Sequence, residues 1–395
     1  MKVFHLVESL DDSYGGPAKS IPALAEAVRT LEVDSVLLSL SDAKVEEFNG
    51  LIDRLGLSWQ NNFCKSYGKV KYAPQLRDFL DSEFSTNTSN TVIHTHNLWN
   101  YIPYIAYRTS KKYNIPLVAS VRGSLYKWSL EQNALVKKVA LRAFQKCMLD
   151  NCAVIHATDL EEVQAIRKLG VKADIALLPN GVYLDEFRTL ESKDYACESL
   201  GIASNKKYLL FASRLHKKKG LDILIEVWRR LHEDFSDWEL LIAGPQDADG
   251  FAKSQKARVE KLKLTNKIRF LGLLRGQERL DAFAASSLFV LPSHTENFGM
   301  CVVEALASGL PVVTTKGTPW KRLDESGCGW SINLSEENLY SALYEALSSQ
   351  ASELKLKSDN ARELSKEYDL RVLAHKYQQL YDYALCRTQK PDFII

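Results

Sequence analysis

The sequence predicts an α/β protein made of two doubly wound, Rossmann-like domains. Short apolar runs alternate with helix-period stretches along the first half of the chain, and the same alternation repeats in the second half. The length of 395 residues also exceeds the usual size of a single domain. Strands that alternate with helices pair in parallel through right-handed crossovers, so each half is expected to form one open sheet.

The first half contains six apolar runs that are expected to be strands. They are Val3–Val7, Ser35–Leu40, Thr91–His96, Pro116–Val121, Ala153–Thr158 and Ile175–Leu178. The helix-period stretches between them are Pro17–Leu31, Tyr101–Tyr113, Glu131–Leu149 and Leu160–Leu169. The second half repeats the scheme, with strands expected at Tyr208–Ala212, Glu239–Ala243, Ile268–Leu271, Leu288–Leu291 and Pro311–Thr314. Its clearest helical stretches are Gly220–Phe235, Gln277–Ser286 and Met300–Ser308.

The first domain is expected at residues 1–182 and the second at 207–369. Residues 183–206 are predicted to be a linker, because their charge is mixed, their periodicity is weak and large aliphatic side chains are few. A C-terminal helix at about 370–388 can pack back on the first domain. Open α/β sheets bind ligands at the carboxyl ends of their strands, so the two domains are expected to face each other across a cleft there.

The composition is that of a soluble globular protein, with 46% hydrophobic and 25% charged residues. A net charge of +2 argues against a dedicated nucleic-acid binder, so no nucleic-acid partner is expected. The seven cysteines are odd in number and lack C-x-x-C spacing, which favours reduced thiols in the cytoplasm. The N-terminus turns acidic too early for a secretory signal, and no apolar stretch is long enough to span a membrane.

The strongest candidate site is the segment LPSHTENFGMCVVEALASGLPVVTT. Glu296 precedes a helix that starts near Gly299, and Glu304 lies about two turns along that helix. Gly299 permits close backbone approach, and the free amides of the first helical turn form an anion site. Glu296 can accept hydrogen bonds from sugar hydroxyls, and Glu304 from a vicinal pair such as ribose hydroxyls. The alternative is an acid that complements the helix dipole and an exposed glutamate on the helix face.

A second candidate is the basic segment that follows the expected strand Tyr208–Ala212. Arg214 and Lys219 flank the strand end, so both can reach one anionic group. Arginine offers a planar fork for phosphate oxygens, and lysine a compact point charge. The alternative, a solvated basic turn before a helix, suits Lys217 and Lys218 best.

Further candidates follow strands of the first half. Gly15 and Gly16 open a helix, where their amides can approach a diphosphate or a reacting sugar, although an ordinary tight turn explains them equally well. In HTHNLW, His96 ends a strand, and His94 is interpreted as a packed strand residue. A zinc pair is disfavoured because no third ligand cluster accompanies them. Arg122, at the next strand end, can contact a phosphate or an acceptor, or form a structural ion pair.

Together these residues resemble the signature of family 4 of the retaining glycosyltransferases, which have the GT-B fold of two Rossmann-like domains. The resemblance covers nearly the whole chain, in order. Its motifs are GGP at Gly15–Pro17, PNGV at Pro179–Val182, ASRLHKKKG around Arg214 and Lys219, and the run Pro292–Pro311. GGP and PNGV are weak motifs singly, whereas the last run is specific.

The resemblance implies a donor substrate, a nucleotide diphosphate sugar, and roles for individual residues. The residues expected to be catalytic are His96, Arg214, Lys219 and Glu296. Those expected to bind the donor are Gly15, Gly16, Arg122, Asn297, Phe298, Gly299, Met300 and Glu304. Transfer is expected to retain the anomeric configuration and to need neither a metal nor another cofactor. Arg214 and Lys219 would stabilise the departing diphosphate.

Other functions compatible with the fold are a sugar-nucleotide epimerase, a phosphorylase and a non-catalytic sugar-binding homologue. No motif for a pyridoxal lysine occurs, and a degenerate homologue predicts loss of Arg214, Lys219 or Glu296, which are all present. The loop Lys316–Trp320 resembles one found in bacterial surface-polysaccharide transferases. A saccharide or lipid-linked acceptor in lipopolysaccharide or exopolysaccharide assembly is therefore expected, while UDP, GDP and ADP donors stay open.

One stretch of the chain is strongly basic. Between Tyr101 and Met148, nine basic residues are opposed only by Glu131, a net charge of +8. In the helix expected at Glu131–Leu149, basic residues recur at helical spacing between apolar ones. The basic positions are Lys137, Lys138, Arg142 and Lys146, and the apolar ones are Leu135, Val139, Ala143 and Met148. This pattern fits a core helix with a solvated back, or a surface that docks on an anionic membrane at the inner face of the plasma membrane.

Overall fold

The computed structural model describes residues 1–10, 15–40, 58–60, 66–68, 70–86, 88–246 and 250–395. It divides into two compact units, Met1–Gly181 with Leu370–Ile395, and Val182–Asp369. Each unit has one fully parallel sheet with its own hydrophobic core. The expectation of two doubly wound α/β domains is confirmed.

The sheet of the first unit has seven strands in the order β3-β2-β1-β4-β5-β6-β7. The strands are β1 Lys2–Val7, β2 Asp34–Ser39, β3 Ser58–Gln60, β4 Thr91–His96, β5 Leu117–Ser120, β6 Val154–Ala157 and β7 Ile175–Leu177. The helices are α1 Gly16–Arg29, α2 Pro74–Glu83, α3 Tyr101–Tyr113, α4 Lys127–Glu131, α5 Ala134–Ala140, α6 Lys146–Asn151 and α7 Leu160–Lys168. Because the chain order reverses between β1 and β4, their carboxyl ends form the switch point where open sheets bind ligands.

The sheet of the second unit has six strands in the order β10-β9-β8-β11-β12-β13. They are β8 Lys207–Ala212, β9 Trp238–Ala243, β10 Ile268–Gly272, β11 Leu288–Leu291, β12 Val312–Thr315 and β13 Gly329–Ile332. The helices are α8 Asp185–Arg188, α9 Lys193–Ser199, α10 Leu221–Leu231, α11 Phe251–Lys261, α12 Gly276–Ala285, α13 Met300–Ser308, α14 Glu336–Ser348 and α15 Ala351–Ser365. The switch point of this sheet lies between β8 and β11.

The eleven strands expected from the apolar runs are all present, each within a residue or so of its expected ends. The structure adds the edge strands β3 and β13. Neither shows as a long apolar run, since β3 has three residues and β13 reads GWSI.

Residues 183–206, predicted to be a linker, belong to the second unit. They contain α8 and α9, and their Leu184, Phe187 and Cys197 are buried in its hydrophobic core. The two helices have four and seven residues, too short to show a helical period in the sequence. The chain enters the second unit at Val182.

The C-terminal helix, α16 Leu370–Ala384, lies in the first unit and packs against α1. Its buried Tyr377 and Tyr381 hydrogen-bond to His156 and His94 in the sheet. The last residues pair with the edge strand β7, where Ile175 and Ile395 exchange two backbone hydrogen bonds of 3.0 and 2.9 Å.

The helix expected at Glu131–Leu149 is present but begins later: helical backbone runs without a break from Ala134 to Asn151, as α5, a π-helical turn at Leu141–Gln145 and α6, while α4 is a separate short helix. Asn133 adopts the left-handed conformation, with φ 53°, and separates α4 from α5. Helical spacing cannot reveal this break, because Asn133 is flanked on both sides by residues compatible with a helix.

Candidate active site

In the second unit, Lys219 and Glu296 meet beside the switch point of the sheet. Lys219 lies on a 3₁₀ turn at Lys217–Lys219 that follows β8, and Glu296 lies on the loop between β11 and α13. The two segments are joined by a hydrogen bond of 2.9 Å, which the amide of His294 donates to the carbonyl of Lys218. A second bond of 2.9 Å, from the amide of Glu296 to the carbonyl of Gly317, ties its loop to the one after β12.

Lys219 and Glu296 form a buried ion pair. The Lys219 Nζ donates to Glu296 Oε1, and the Ser293 hydroxyl donates to the same oxygen over 2.8 Å. Their side chains are only 10% and 9% exposed, in that order. Burial alone would raise the pKa of Glu296, but the charge and hydrogen bond of Lys219, helped by Lys218 and Ser293, lower it below its usual value. The carboxylate is therefore ionised at neutral pH and can accept hydrogen bonds from a ligand.

Two glycines let these loops approach so closely. Gly220 has φ +69°, and a Cβ there would lie 2.1 Å from the carbonyl oxygen of Pro292. A Cβ on Gly317 would lie 2.3 Å from the carbonyl oxygen of His294. Any side chain at either position would push Lys219 and Glu296 apart, so both glycines support the site although neither carries its chemistry.

Glu304 is buried on α13 and is also paired. Arg279, on α12, donates from Nη1 to Glu304 Oε1 over 2.6 Å. The structure thus brings Glu304 to a second basic partner, distinct from Lys219, rather than leaving it exposed on the helix face. The sequence holds no signal for Arg279, which lies 25 residues before Glu304 on a different helix.

The residues between the two glutamates differ in what they offer a ligand. Phe298 is buried against the rings of Trp320 and Tyr368, at centroid distances of 5.4 and 5.8 Å, and its carbonyl accepts a hydrogen bond from Trp320 Nε1, so only its backbone amide is available. Gly299 precedes α13 with φ +79°, Met300 is the first residue of that helix, and Asn297 is half-buried. Expected donor contacts of these four residues rest on backbone groups and on the Asn297 side chain.

Arg214 is half-buried two residues after the end of β8, on the loop that leads to Lys219. The loop is fixed by the amide of Leu215, which donates to the carbonyl of Pro245 over 2.9 Å. Gly244 packs tightly beneath it, since a Cβ there would lie 1.9 Å from the carbonyl oxygen of Ser213. Both basic residues expected to grip a diphosphate therefore follow the same strand end.

In the first unit, His96 and Arg122 meet at the carboxyl ends of β4 and β5. Arg122 Nε donates to His96 Nδ1 over 3.2 Å, which leaves the proton of this imidazole on Nε2. His96 Nε2 lies 3.2 Å from His5 Nδ1 and therefore donates to it. Burial, followed by the charges of neighbouring groups including Arg122, keeps the pKa of His96 well below its usual value. His96 is thus a neutral imidazole with a defined tautomer.

His94 belongs to a separate chain of hydrogen bonds, as expected for a packed strand residue. The carbonyl of Leu178 can only accept, so His156 Nε2, 2.8 Å away, carries a proton. His156 Nδ1 then accepts from the Ser120 hydroxyl over 2.6 Å, and Ser120 accepts from His94 Nε2 over 2.7 Å. His94 Nδ1 accepts from the hydroxyl of Tyr381 over 3.0 Å. These bonds lock β4, β5, β6 and α16 together behind His96.

The structure supplies the third histidine that the sequence lacked for a metal site. Ring nitrogens of His5, His94 and His96 lie within 4.8 Å of one another. Both ring nitrogens of His94 and of His96 are occupied by hydrogen bonds, however, and the permanent charge of Arg122 opposes a cation beside His96. The cluster is better explained as a hydrogen-bonded support for His96.

Arg122 is a buried cation held by neutral groups. Its Nη1 donates to Ser20 and Asn180, each over 3.3 Å, and among the described residues no carboxylate forms an ion pair with it. Its Nη2 is buried and has no hydrogen-bond partner in the described part of the chain. Its backbone is strained, with φ 47°, beside Gly123 at φ 71°. The buried Glu162 nearby favours the charge of Arg122 without a direct ion pair. The expected contact of Arg122 with a phosphate or an acceptor stays a prediction.

Gly15 and Gly16 begin α1, whose Ser20 contacts Arg122. Gly15 has φ 73°, which favours glycine at this position, and residues 11–14 before it lie outside the described part. Sequence reasoning had no signal for His5 or Ser20, because an isolated polar residue on a strand or helix is most often structural. Asn180 lies in the PNGV motif, but the motif did not indicate its contact with Arg122.

The short helices α4 and α5 contain no buried residue. Leu135, Val136 and Val139 are 76%, 67% and 59% exposed, whereas Met148, the last apolar position of the expected helix, is buried. Lys138 and Arg142 are exposed beside them. Two other expected surface charges are engaged locally: Lys137 donates to the carbonyl of Ser129 over 2.6 Å, and Lys146 pairs with Asp150. Across the described residues, no helix is long and apolar enough to cross a bilayer.

Two family models match this chain. One, described as glycosyl transferases group 1, matches residues 193–360, and the other, described as a glycosyl transferase 4-like domain, matches residues 15–181. Together they span most of both structural units.

Individual relatives agree with this assignment. The chain is 23% identical to GDP-mannose:cellobiosyl-diphosphopolyprenol alpha-mannosyltransferase of Komagataeibacter xylinus, over 98% of this chain and 94% of the relative. It is 28% identical to D-inositol 3-phosphate glycosyltransferase of Corynebacterium urealyticum, over 44% of this chain and 43% of the relative.

Among solved structures, HepE of Anabaena in complex with UDP and glucose superposes with a TM-score of 0.79 at 18% identity, covering 96% of this chain and 99% of that one. A likeness at this identity shows the fold, which is GT-B. The two family models cover both units, and the fold is the one that these enzymes share. The chain belongs to the group 1, family 4-type glycosyltransferases.

Proposed function

We propose that this glycosyltransferase moves a sugar from a nucleoside diphosphate donor to a saccharide or lipid-linked acceptor, with retention of the anomeric configuration and without a metal. The observation that carries the proposal is the buried pair of Lys219 and Glu296 at the switch point of the second sheet. It places a cation suited to a phosphate directly beside a carboxylate suited to sugar hydroxyls. In a nucleoside diphosphate sugar the phosphate and the sugar are directly bonded, so one donor could contact Lys219 and Glu296 at the same time.

The chemistry follows from where charge develops. As the bond between sugar and diphosphate breaks, negative charge grows on the leaving phosphate, and Lys219 with Arg214 would stabilise it. Glu296 would hold sugar hydroxyls and so fix the orientation of the reacting carbon. The acceptor hydroxyl would approach on the face that the diphosphate leaves, and a phosphate oxygen would take its proton. This route retains configuration and assigns no proton transfer to a protein side chain.

In the first unit, His96 and Arg122 are the groups proposed to contact the donor. His96 is neutral, and both of its ring nitrogens are occupied by Arg122 and His5. A hydroxyl of the sugar would compete with His5 for the proton on Nε2. Arg122 would use its unpartnered Nη2 for a phosphate oxygen of the donor or acceptor.

The reaction is tested by incubating the protein with UDP-, GDP- and ADP-sugars and measuring release of the nucleoside diphosphate, with and without acceptor. The proposal expects release from one donor class, unchanged by EDTA, and a product whose anomeric coupling constant matches that of the donor. An inverted product would refute retention, and loss of activity with EDTA would refute metal independence. No release from any donor would contradict the transfer reaction itself.

The proposed acceptor rests on a relative and on the exposed segment. The mannosyltransferase of Komagataeibacter xylinus is named for a diphosphopolyprenol-linked acceptor. In this chain, Leu135, Val136 and Val139 stand exposed beside Lys138 and Arg142, a combination that binds anionic membrane surfaces. We therefore propose peripheral membrane association and a role in the assembly of lipopolysaccharide or exopolysaccharide.

The phosphate role of the two basic residues gives a separate prediction. Lys219→Gln and Arg214→Ala are each expected to weaken binding of a nucleoside diphosphate by about tenfold or more, while binding of the nucleoside changes little, because the lost partner contacts only phosphate. Isothermal titration calorimetry with UDP, GDP and the corresponding nucleosides measures both affinities. Lys217→Ala, an exposed lysine on the same turn, is the matched control and should leave both unchanged. Equal losses for nucleoside and diphosphate would show that the residues are structural.

A further inference from the structure

Arg279 connects Glu304 to the helix that follows the entry into the second unit. It lies on α12 and donates from Nη1 to Glu304 Oε1 over 2.6 Å and from Nη2 to Glu186 Oε2 over 3.2 Å. Its guanidinium carbon also lies 5.4 Å from the ring centre of Phe187. Glu186 and Phe187 are adjacent residues of α8. The guanidinium is therefore held by three contacts from two other helices.

The three groups differ in burial in a way that indicates which one depends on Arg279. The Glu304 side chain is 9% exposed, whereas those of Arg279 and Glu186 are 22% and 49% exposed. A carboxylate that is nearly removed from water needs a fixed cation to offset its lost hydration and to hold its orientation. Glu186 is solvated enough to be stable without one. Glu304 thus depends on Arg279 for its orientation, whereas Glu186 helps to hold Arg279 in place.

We propose that Arg279 is a positioning residue for donor recognition: it holds the Glu304 carboxylate in the orientation that accepts the ribose hydroxyls of the nucleotide. This inference rests on the proposed function, since it takes ribose as the ligand of Glu304. Arg279 uses one nitrogen for Glu304 and the other for Glu186, so only one carboxylate oxygen of Glu304 is committed to Nη1. The other nitrogen and the Phe187 ring stop the guanidinium from rotating away.

The test is the discrimination between a ribonucleotide and its 2′-deoxy counterpart. Dissociation constants are measured by calorimetry for UDP and 2′-deoxy-UDP, and for GDP and 2′-deoxy-GDP. Loss of one hydroxyl that bonds to a carboxylate is expected to weaken binding to the wild type about tenfold. Glu304→Gln should abolish most of this ratio. Arg279→Gln should also reduce it to about threefold or less, while the 2′-deoxy nucleotide binds nearly as well as before.

A double-mutant cycle separates positioning from general damage. If Arg279 acts through Glu304, adding Arg279→Gln to Glu304→Gln should produce no further change in the ratio. Arg230→Gln is the matched control, because Arg230 forms a two-bond ion pair with the exposed Glu337 in the same unit and should leave the ratio unchanged. Thermal unfolding checks that every variant is folded.

Two results would overturn the inference, and they can be told apart. Should Arg279→Gln weaken both nucleotides equally while Glu304→Gln still lowers the ratio, Arg279 is structural and the ribose role of Glu304 stands. Should Glu304→Gln leave the ratio at its wild-type value, Glu304 does not bind the ribose, and both the proposed donor contact and the role of Arg279 fail.

Discussion

Glu296→Ala is expected to lower turnover by roughly 10²-fold or more, because the substitution removes positioned hydrogen bonds at the reacting sugar. The structure adds a second reason for a large effect. Lys219 would lose the carboxylate that it contacts, and the orientation of the ammonium that stabilises the leaving phosphate would no longer be fixed. Turnover is measured by release of nucleoside diphosphate at saturating donor and acceptor.

The substitution also leaves the buried Lys219 without its partner, which typically destabilises a protein by about 3–5 kcal/mol. Thermal unfolding must therefore accompany the assay, and Glu296→Gln provides a variant that keeps the shape and the hydrogen bond from Ser293. The matched control is Glu345→Ala, since Glu345 accepts a hydrogen bond of 2.9 Å from Trp330 in the same unit but lies in no proposed contact. A folded Glu296→Ala protein with turnover within about threefold of the wild type would remove Glu296 from the site.

The fold was predictable because parallel strands buried on both faces appear as continuous apolar runs. Strands such as Thr91–His96 and Leu288–Leu291 have their observed ends at the expected residues. The prediction of a linker at residues 183–206 differs from the structure for a physical reason. Phe187 and Cys197 are buried in the second core, but they lie on helices of four and seven residues, too short for periodicity to identify them.

The candidate site was predictable only where its residues share a segment or a family motif. Glu296, Gly299 and Glu304 fall within one short run, and their spacing is visible in the sequence. The ion pair of Lys219 and Glu296 joins residues 77 positions apart, and the bond between His5 and His96 joins residues 91 apart. Such contacts depend on strand order and on glycines that let loops touch, neither of which helical or strand spacing encodes.

The apolar positions of the basic segment are buried at one end of its helix, at Met148, and exposed at the other. Helical spacing of apolar residues normally indicates packing against a core, yet Leu135 and Val139 are exposed. The left-handed Asn133 separates their helix from α4, and α5 contains no buried residue. Exposed aliphatic side chains lose the hydrophobic contribution that burial would give. A cluster of them therefore favours a surface that is covered by a membrane or by a protein partner.

We expect the wild-type protein to co-sediment with vesicles that contain anionic lipid at low salt, and to be released as salt rises and the Debye length shrinks. The structure changes which residues test this. Lys137 and Lys146 are held by Ser129 and Asp150, so reversing them would disturb local contacts as well as surface charge. The informative charge variant therefore combines Lys127→Glu, Lys138→Glu and Arg142→Glu, whose residues are exposed. Lys127 lies 3.9 Å from Glu131, but both side chains are solvated and this contact is weak.

Each basic residue near an anionic bilayer contributes about 1 kcal/mol, so removing three weakens partitioning by roughly 10²-fold, and reversing their charge weakens it further. A second variant, with Leu135, Val136 and Val139 changed to serine, keeps the charge and removes the groups that would enter the interface. Both variants should stay in the supernatant. The matched control changes three exposed lysines of the same unit together to glutamate: Lys168, Lys172 and Lys376. This control should still co-sediment. If the wild type stays in the supernatant at low salt, or if the control loses binding as fully as the charge variant, this segment is not a membrane surface. Loss with the charge variant alone would indicate electrostatic adsorption without insertion, and the exposed aliphatic side chains would then need a protein partner to cover them.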